Sequence, residues 1–285
     1  MIRTLTLVAV LALCVPQHVW AQAPAASLSP TGAASAAAQD DPDTDPNDAQ
    51  PDFFISTIPT TLRLPKHKMA FRLTHRFGRP LGQGDAGELL ENFFGLDSGA
   101  VMGFGLSYGI IRGGQVSIYR TSDRTIQFAG QYEVLDQKRA PLGAVVAVNV
   151  DGTNNFRDSY SPGVQLILSR ELGEHGALYL APSYVNNSSP EPQELVDDND
   201  TIMLGLGARL RLRRNTYVTV EGSPRMTGYA PGVPLVAVGL EQRAGGHVFQ
   251  LTFSNGLGTT LAQVARGGTA RDDWYIGFNL SRKFF

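Results

Sequence analysis

Thr201-Ile202-Met203-Leu204-Gly205-Leu206-Gly207-Ala208-Arg209-Leu210-Arg211-Leu212 is the stretch that decides the fold class. Ile202, Leu204, Leu206, Leu210 and Leu212 fall on one face of an extended chain, and Gly205, Gly207, Arg209 and Arg211 on the other. Successive side chains of a strand point to opposite faces, so this period of two describes a strand with one apolar and one polar surface.

The same period recurs along the chain. It marks Lys68–Phe77, Ala100–Ile110, Gln115–Thr121, Thr125–Val134, Leu142–Val150 and Pro162–Arg170. It then marks Ala177–Val185, Thr201–Leu212, Tyr217–Ser223, Leu235–Glu241, His247–Ser254 and Trp274–Phe284, twelve segments in all. An even number of strands returns both termini to one side, as in bacterial single-chain outer-membrane barrels. Five connections are short: Ile111–Gly114, Leu135–Pro141, Glu171–Gly176, Arg213–Thr216 and Gln242–Gly246. Those between them are Arg79–Gly99, Ser122–Arg124, Asp151–Ser161, Asn186–Asp200, Pro224–Pro234 and Asn255–Asp273, and all but the second are long. Short periplasmic turns alternating with longer outer loops are the signature of a membrane barrel. The expected fold is an all-β, antiparallel, up-and-down transmembrane β-barrel of about 12 strands, preceded by a disordered N-terminal extension.

Physical chemistry then orients the two faces. Hydrocarbon offers no hydrogen bonds, so strands cross it only as a closed barrel with an apolar exterior. An arginine on the lipid face at mid-depth would cost ~2–4 kcal/mol. Arg72, Arg76, Glu133, Arg209, Arg211, Glu221 and Glu241 therefore read as lumen-lining. Arg209 and Glu221 lie on neighbouring strands, and a luminal salt bridge between them is one hypothesis, its register set by the turn at Asn215; structural filling of the lumen and a selectivity or gating role are the other readings. Phe77, Tyr108, Trp274 and Phe284, near strand ends, fit the aromatic belts of a bilayer interface.

The beginning of the chain sets the compartment. Arg3, an apolar run from Leu5 to Val15 and the small residues Val19 and Ala21 fit a cleaved signal peptide over residues 1–21. The run is too short for a membrane-spanning helix. Residues 22–51 are dominated by Ala, Pro, Ser, Asp and Thr and read as a disordered linker, which leaves 52–285 as the barrel domain. The one cysteine, Cys14, lies in the signal, so disulfides and cysteine-ligated metals are not expected in the mature chain. A net charge of -2 gives no basic surface for nucleic acid. The location implied is the outer membrane of a Gram-negative cell.

The last strand ends Leu280-Ser281-Arg282-Lys283-Phe284-Phe285, which resembles the C-terminal signal read by the barrel-assembly machinery, with Phe284 and Phe285 as its carriers. Three further stretches resemble an uncharacterised bacterial family, domain of unknown function 5777. They are Leu64-Pro65-Lys66 with Phe71-Arg72-Leu73-Thr74-His75-Arg76-Phe77-Gly78, then Asn92-Phe93-Phe94-Gly95-Leu96-Asp97-Ser98-Gly99, then Gly245-Gly246-His247-Val248-Phe249-Gln250-Leu251. The resemblance runs from about Phe53 to the C-terminus and implies an outer-membrane barrel without an assigned activity.

Catalytic chemistry is not expected. A lipid-modifying barrel enzyme needs a Ser nucleophile beside a His base. No His-x-Ser occurs, and His67, His75, His175 and His247 show no metal-ligand spacing. No cofactor is expected. The first functional expectation is a passive or narrow channel for small solutes. The alternatives are a structural or assembly-partner barrel with a filled lumen and, disfavoured, a lipid-modifying enzyme. Expected partners are outer-membrane lipid, the barrel-assembly machinery and a periplasmic protein docked through the linker. Two loops carry smaller expectations. Gly87–Phe94 reads as a short helix folding into the barrel mouth, and Glu191–Asp200 as a solvated acidic loop.

Overall fold

The computed structural model describes residues 49–91, 99–190 and 198–284. The expected signal peptide and linker up to residue 48, residues 92–98, residues 191–197 of the expected acidic loop, and Phe285 lie outside the described residues.

The strands are β1 (Met69–Phe77), β2 (Ala100–Ile111), β3 (Gly114–Thr121), β4 (Ile126–Leu135), β5 (Gly143–Gly152), β6 (Tyr160–Glu171) and β7 (Gly176–Val185). They continue as β8 (Thr201–Arg213), β9 (Thr216–Ser223), β10 (Arg225–Gly228), β11 (Leu235–Ala244), β12 (His247–Ser254) and β13 (Tyr275–Phe284). Each is antiparallel to its neighbours, and β1 pairs with β13 from Met69↔Phe284 to Arg76↔Gly277. With β8 also paired to β9, the sheet closes on itself. The short β10 continues β9 beyond Pro224 and pairs with β8. Proline has no N–H to give the ladder, so one wall position is built from two segments and the barrel is twelve-stranded, as the sequence predicts.

The strand faces separate as the alternation requires. Phe104 and Val148 are more than half exposed. Leu106, Phe128, Leu180, Leu206, Leu240, Leu251 and Phe278 are exposed in the same way. A continuous apolar belt of this kind is unfavourable in water and favourable against acyl chains. Tyr108 and Phe284 both lie opposite Met69, so these two aromatics share one height at the inner rim.

Much of the inward face of the wall is made of small and polar residues: Gly103, Gly105 and Ser107 on β2, Ala181 and Ser183 on β7, Gly205 and Gly207 on β8, Ala237 and Gly239 on β11. The space they leave is filled by two inserted segments. The first is residues 49–64, where Phe53, Ile55, Ile58 and Leu64 are buried. Ala49, Gln50 and Pro51, the last residues of the predicted linker, are buried with them. Phe53–Thr60 folds as a tight hairpin, with Thr60 N donating to Phe53 O at 2.8 Å and Ile55 N to Ile58 O at 2.9 Å. Ile55 and Ile58 pack on Ala177, Tyr179 and Ala181 of β7.

The second segment is the loop between β12 and β13, which carries helix α2 (Leu261–Arg266). Thr260 and Gln263 cap α2 reciprocally. Ala262, Val264 and Ala265 pack against Val185, Met203 and Leu235. The loop predicted to enter the mouth is a different one. Its helix, α1 (Ala86–Glu91), forms, but Glu88, Leu90 and Glu91 are exposed, and 92–98 lie outside the described residues. The run that is buried is instead Ala262–Ala265.

Candidate functional site in the lumen

The wall grips the tip of the N-terminal hairpin with polar side chains from five strands. On β9, Glu221 is almost wholly buried and accepts the backbone N–H groups of Ser56 (3.0 Å), Thr57 (2.9 Å) and Ile58 (3.1 Å), and the Thr57 hydroxyl (2.6 Å). Three successive amides converging on one anion form a nest, and each bond is charge-assisted. The neighbouring carbonyls are taken by cationic and amide donors. Arg72 Nη2 donates to Ser56 O at 2.6 Å, while its guanidinium lies 3.7 Å from the centre of the Phe54 ring. Arg209 Nη2 donates to Phe54 O at 2.6 Å, Gln250 Nε2 to Ile55 O at 2.6 Å and Asn279 Nδ2 to Ser56 O at 3.3 Å. Arg76 donates to Asn279 Oδ1 at 2.8 Å and to the Ser56 hydroxyl at 3.3 Å.

Of the residues expected to line the lumen, Arg72, Arg76, Arg209, Glu221 and Glu241 meet in this one network. Their pairing differs from the expectation. Arg209 lies opposite Thr219, while Glu221 lies opposite Gly207. Arg209 forms its ion pair with Glu241 at 3.0 Å, and Glu221 is engaged by the hairpin. The remaining two stand apart. Arg211 is near the inner rim, 3.7 Å from the largely exposed Glu174. Glu133 lines a groove at the inner mouth with Arg63, Lys66, Arg112 and Lys138.

Sequence reading missed the hairpin and with it Phe54, Ser56, Thr57, Gln250 and Asn279. A signal was present. Phe53-Phe54-Ile55-Ser56-Thr57-Ile58 is apolar and β-branched, unlike the Ala/Pro/Asp stretch before it.

The outer insert is held by a separate set of wall groups. Asp151 of β5 accepts Ala262 N at 2.9 Å and Gln127 Nε2 at 2.7 Å. Gln263 Nε2 donates to Asp123 at 2.8 Å, and Arg266 Nε to Ser188 O at 2.8 Å. Tyr119 OH donates to Thr259 Oγ1 at 2.9 Å, tying the loop to β3. Between the two inserts is a cavity of about 40 Å3 lined by Phe54, Thr57, Gln127, Asn149, Gln165 and Leu261 among others. At ~10–15 Å3 per water centre it holds about three waters, and Asn149 Nδ2, which lines it, has no protein partner. No group of three or more metal-ligating side chains occurs among the described residues.

Residues 52–284 match the model of the family described as membrane bound beta barrel domain (DUF5777). No curated protein matches the sequence. Among solved structures, the NanC porin is 9% identical with a TM-score of 0.49, over 76% of this chain and 99% of that one. Outer membrane phospholipase A from Escherichia coli is 12% identical with a TM-score of 0.43, over 76% and 90%. The Acinetobacter baumannii outer membrane protein Omp33 is 10% identical with a TM-score of 0.39, over 77% and 99%. At these values none of the three bears on what this chain does.

Proposed function

The chain belongs to the family of membrane bound beta barrel domains (DUF5777), and on that footing we propose that it is an outer-membrane channel for small solutes, held shut by its own N-terminal hairpin and by the α2 loop. One observation carries the reading. Many of the wall's inward side chains are small, and the space beside them is filled by two inserted segments. A barrel meant to stay solid needs only larger inward side chains, as small barrels use. Filling by tethered segments, gripped largely through polar contacts, suits a lumen that empties.

The apolar belt is the surface for outer-membrane lipid, the last strand the feature presented to the barrel-assembly machinery, and the N-terminal region the attachment for a periplasmic protein. A structural barrel with a permanently filled lumen is the second reading, favoured by the apolar packing of Ile55 and Ile58 on β7. A lipid-modifying enzyme is weaker still. His75 packs against Phe77 and Phe278, and His247 contacts Arg282. Neither arrangement activates a serine.

Planar-bilayer conductance separates the readings. The intact chain is expected to be silent with rare openings, and Glu221→Ala to open often. A folded, inserted Glu221→Ala barrel that stays silent would overturn the channel reading in favour of the structural one.

A further inference from the structure

Ser56 is bound by the wall as a free amino acid would be. Its N–H donates to the Glu221 carboxylate at 3.0 Å. Its carbonyl oxygen, one residue's length away, accepts from Arg72 at 2.6 Å and Asn279 at 3.3 Å. Its hydroxyl accepts from Arg76 at 3.3 Å. The wall thus offers an anion to the amino end and a cation with an amide to the carboxyl end of one residue. These charges are far stronger than a neutral peptide requires. An ammonium at the position of the Ser56 amide would meet the Glu221 carboxylate in a bond charged on both sides, where the present one is charged on one side only. A carboxylate accepts in fork geometry from a guanidinium, more strongly than a carbonyl does.

We infer that the space now held by Ser56 is a binding site for a zwitterionic α-amino acid with a small or polar side chain, and that the hairpin turn is its built-in stand-in. Glu221 takes the ammonium, Arg72 and Asn279 take the carboxylate, and Arg76 faces the side chain. The amide-lined cavity that Thr57 shares with Gln127, Asn149 and Gln165 adjoins this site. Solute and hairpin exclude each other, so the solute itself favours the unplugged lumen. The inference rests on the reading of the hairpin as a displaceable plug.

The test uses the mature chain from Gln22, free of Cys14 and carrying Thr57→Cys, refolded into detergent and checked by heat-modifiable migration. The rate of maleimide labelling at position 57 is measured with serine, acetate, methylammonium or sucrose added. A ligand at ten times its dissociation constant for the unplugged state raises that state's population about tenfold. Serine is expected to raise labelling about tenfold, the other three are expected to leave it unchanged, and the serine effect is expected to vanish in Arg72→Gln and Glu221→Gln backgrounds. Because Thr57→Cys removes one hydroxyl bond, Thr60→Cys serves as a second reporter with the Thr57 contact intact. No response to serine at both reporters, or an equal response to acetate alone, overturns the inference. A serine response in a barrel that never conducts leaves this site standing and removes the channel, so the two failures are told apart.

Discussion

Arg209 of β8 reaches across β9 to Glu241 of β11, and the two meet at 3.0 Å with both side chains fully shielded from solvent. Thr219 and Gly239 lie in register with Arg209 on the next two strands, and the small wall residue leaves the path open. Removing one partner of a buried pair strands the other charge, at a cost of ~3–5 kcal/mol. Glu241→Ala is therefore expected to lower the unfolding free energy of the refolded barrel by ~3–5 kcal/mol, read as a lower urea midpoint. The double change Arg209→Met with Glu241→Leu should cost much less than the single one. A midpoint unchanged in Glu241→Ala would mean that the pair adds nothing to stability.

Glu221 controls the hairpin more than the wall. A charge-assisted hydrogen bond contributes about 1.5–3 kcal/mol, and Glu221 accepts several at once from residues 56–58. Losing even ~3 kcal/mol raises the undocked population about a hundredfold. Hydrogen exchange of residues 53–60 in Glu221→Ala should quicken by at least that factor, while β1–β13 exchange stays slow.

Gly207 makes room for the plug from the other side. A Cβ built there meets Ile55 Cδ1, and one at Gly205 lies 3.2 Å from Ile58 Cδ1. Gly207→Val should therefore expel the hairpin without touching any charge. Limited proteolysis would then cut within 49–65 and leave the barrel intact. An unchanged digestion pattern would mean that Ile55 repacks.

The outer loop has its own pH response. Asp200 accepts the Tyr184 hydroxyl at 2.5 Å and Asn186 Nδ2 at 2.7 Å. Chiefly through the Tyr184 bond, its carboxyl is held below the usual carboxylate range. A depressed carboxylate stabilises the fold above its unfolded pKa of ~3.9, and the contribution is lost as pH falls through the lower folded value. Pepsin sensitivity of the loop between β7 and β8 should rise below about pH 4. In Asp200→Asn it should be high and flat with pH.

The barrel was legible because its rule is local. A period of two needs no knowledge of partners, and the bilayer assigns the faces, so Ile202 to Leu212 declare outside and inside by themselves. The lumen's contents were not legible because their partners are remote. Ser56 meets Glu221, 165 positions along the chain, and nothing near Ser56 announces it. The Arg209 pairing failed for a subtler reason. Neighbouring strands put Glu221 within plausible reach, but the register fixed by the turn at Asn215 aligned it with Gly207 instead.

The same Ser56 contacts also join the two ends of the sheet. Arg72 and Arg76 belong to β1, the first strand, and Asn279 to β13, the last. Ser56 is therefore held by both edges of the seam where the cylinder shuts. The hairpin is thus a clasp across the seam, bonded through one residue to the first strand and to the last, and a chain that lost it would close the cylinder without that link.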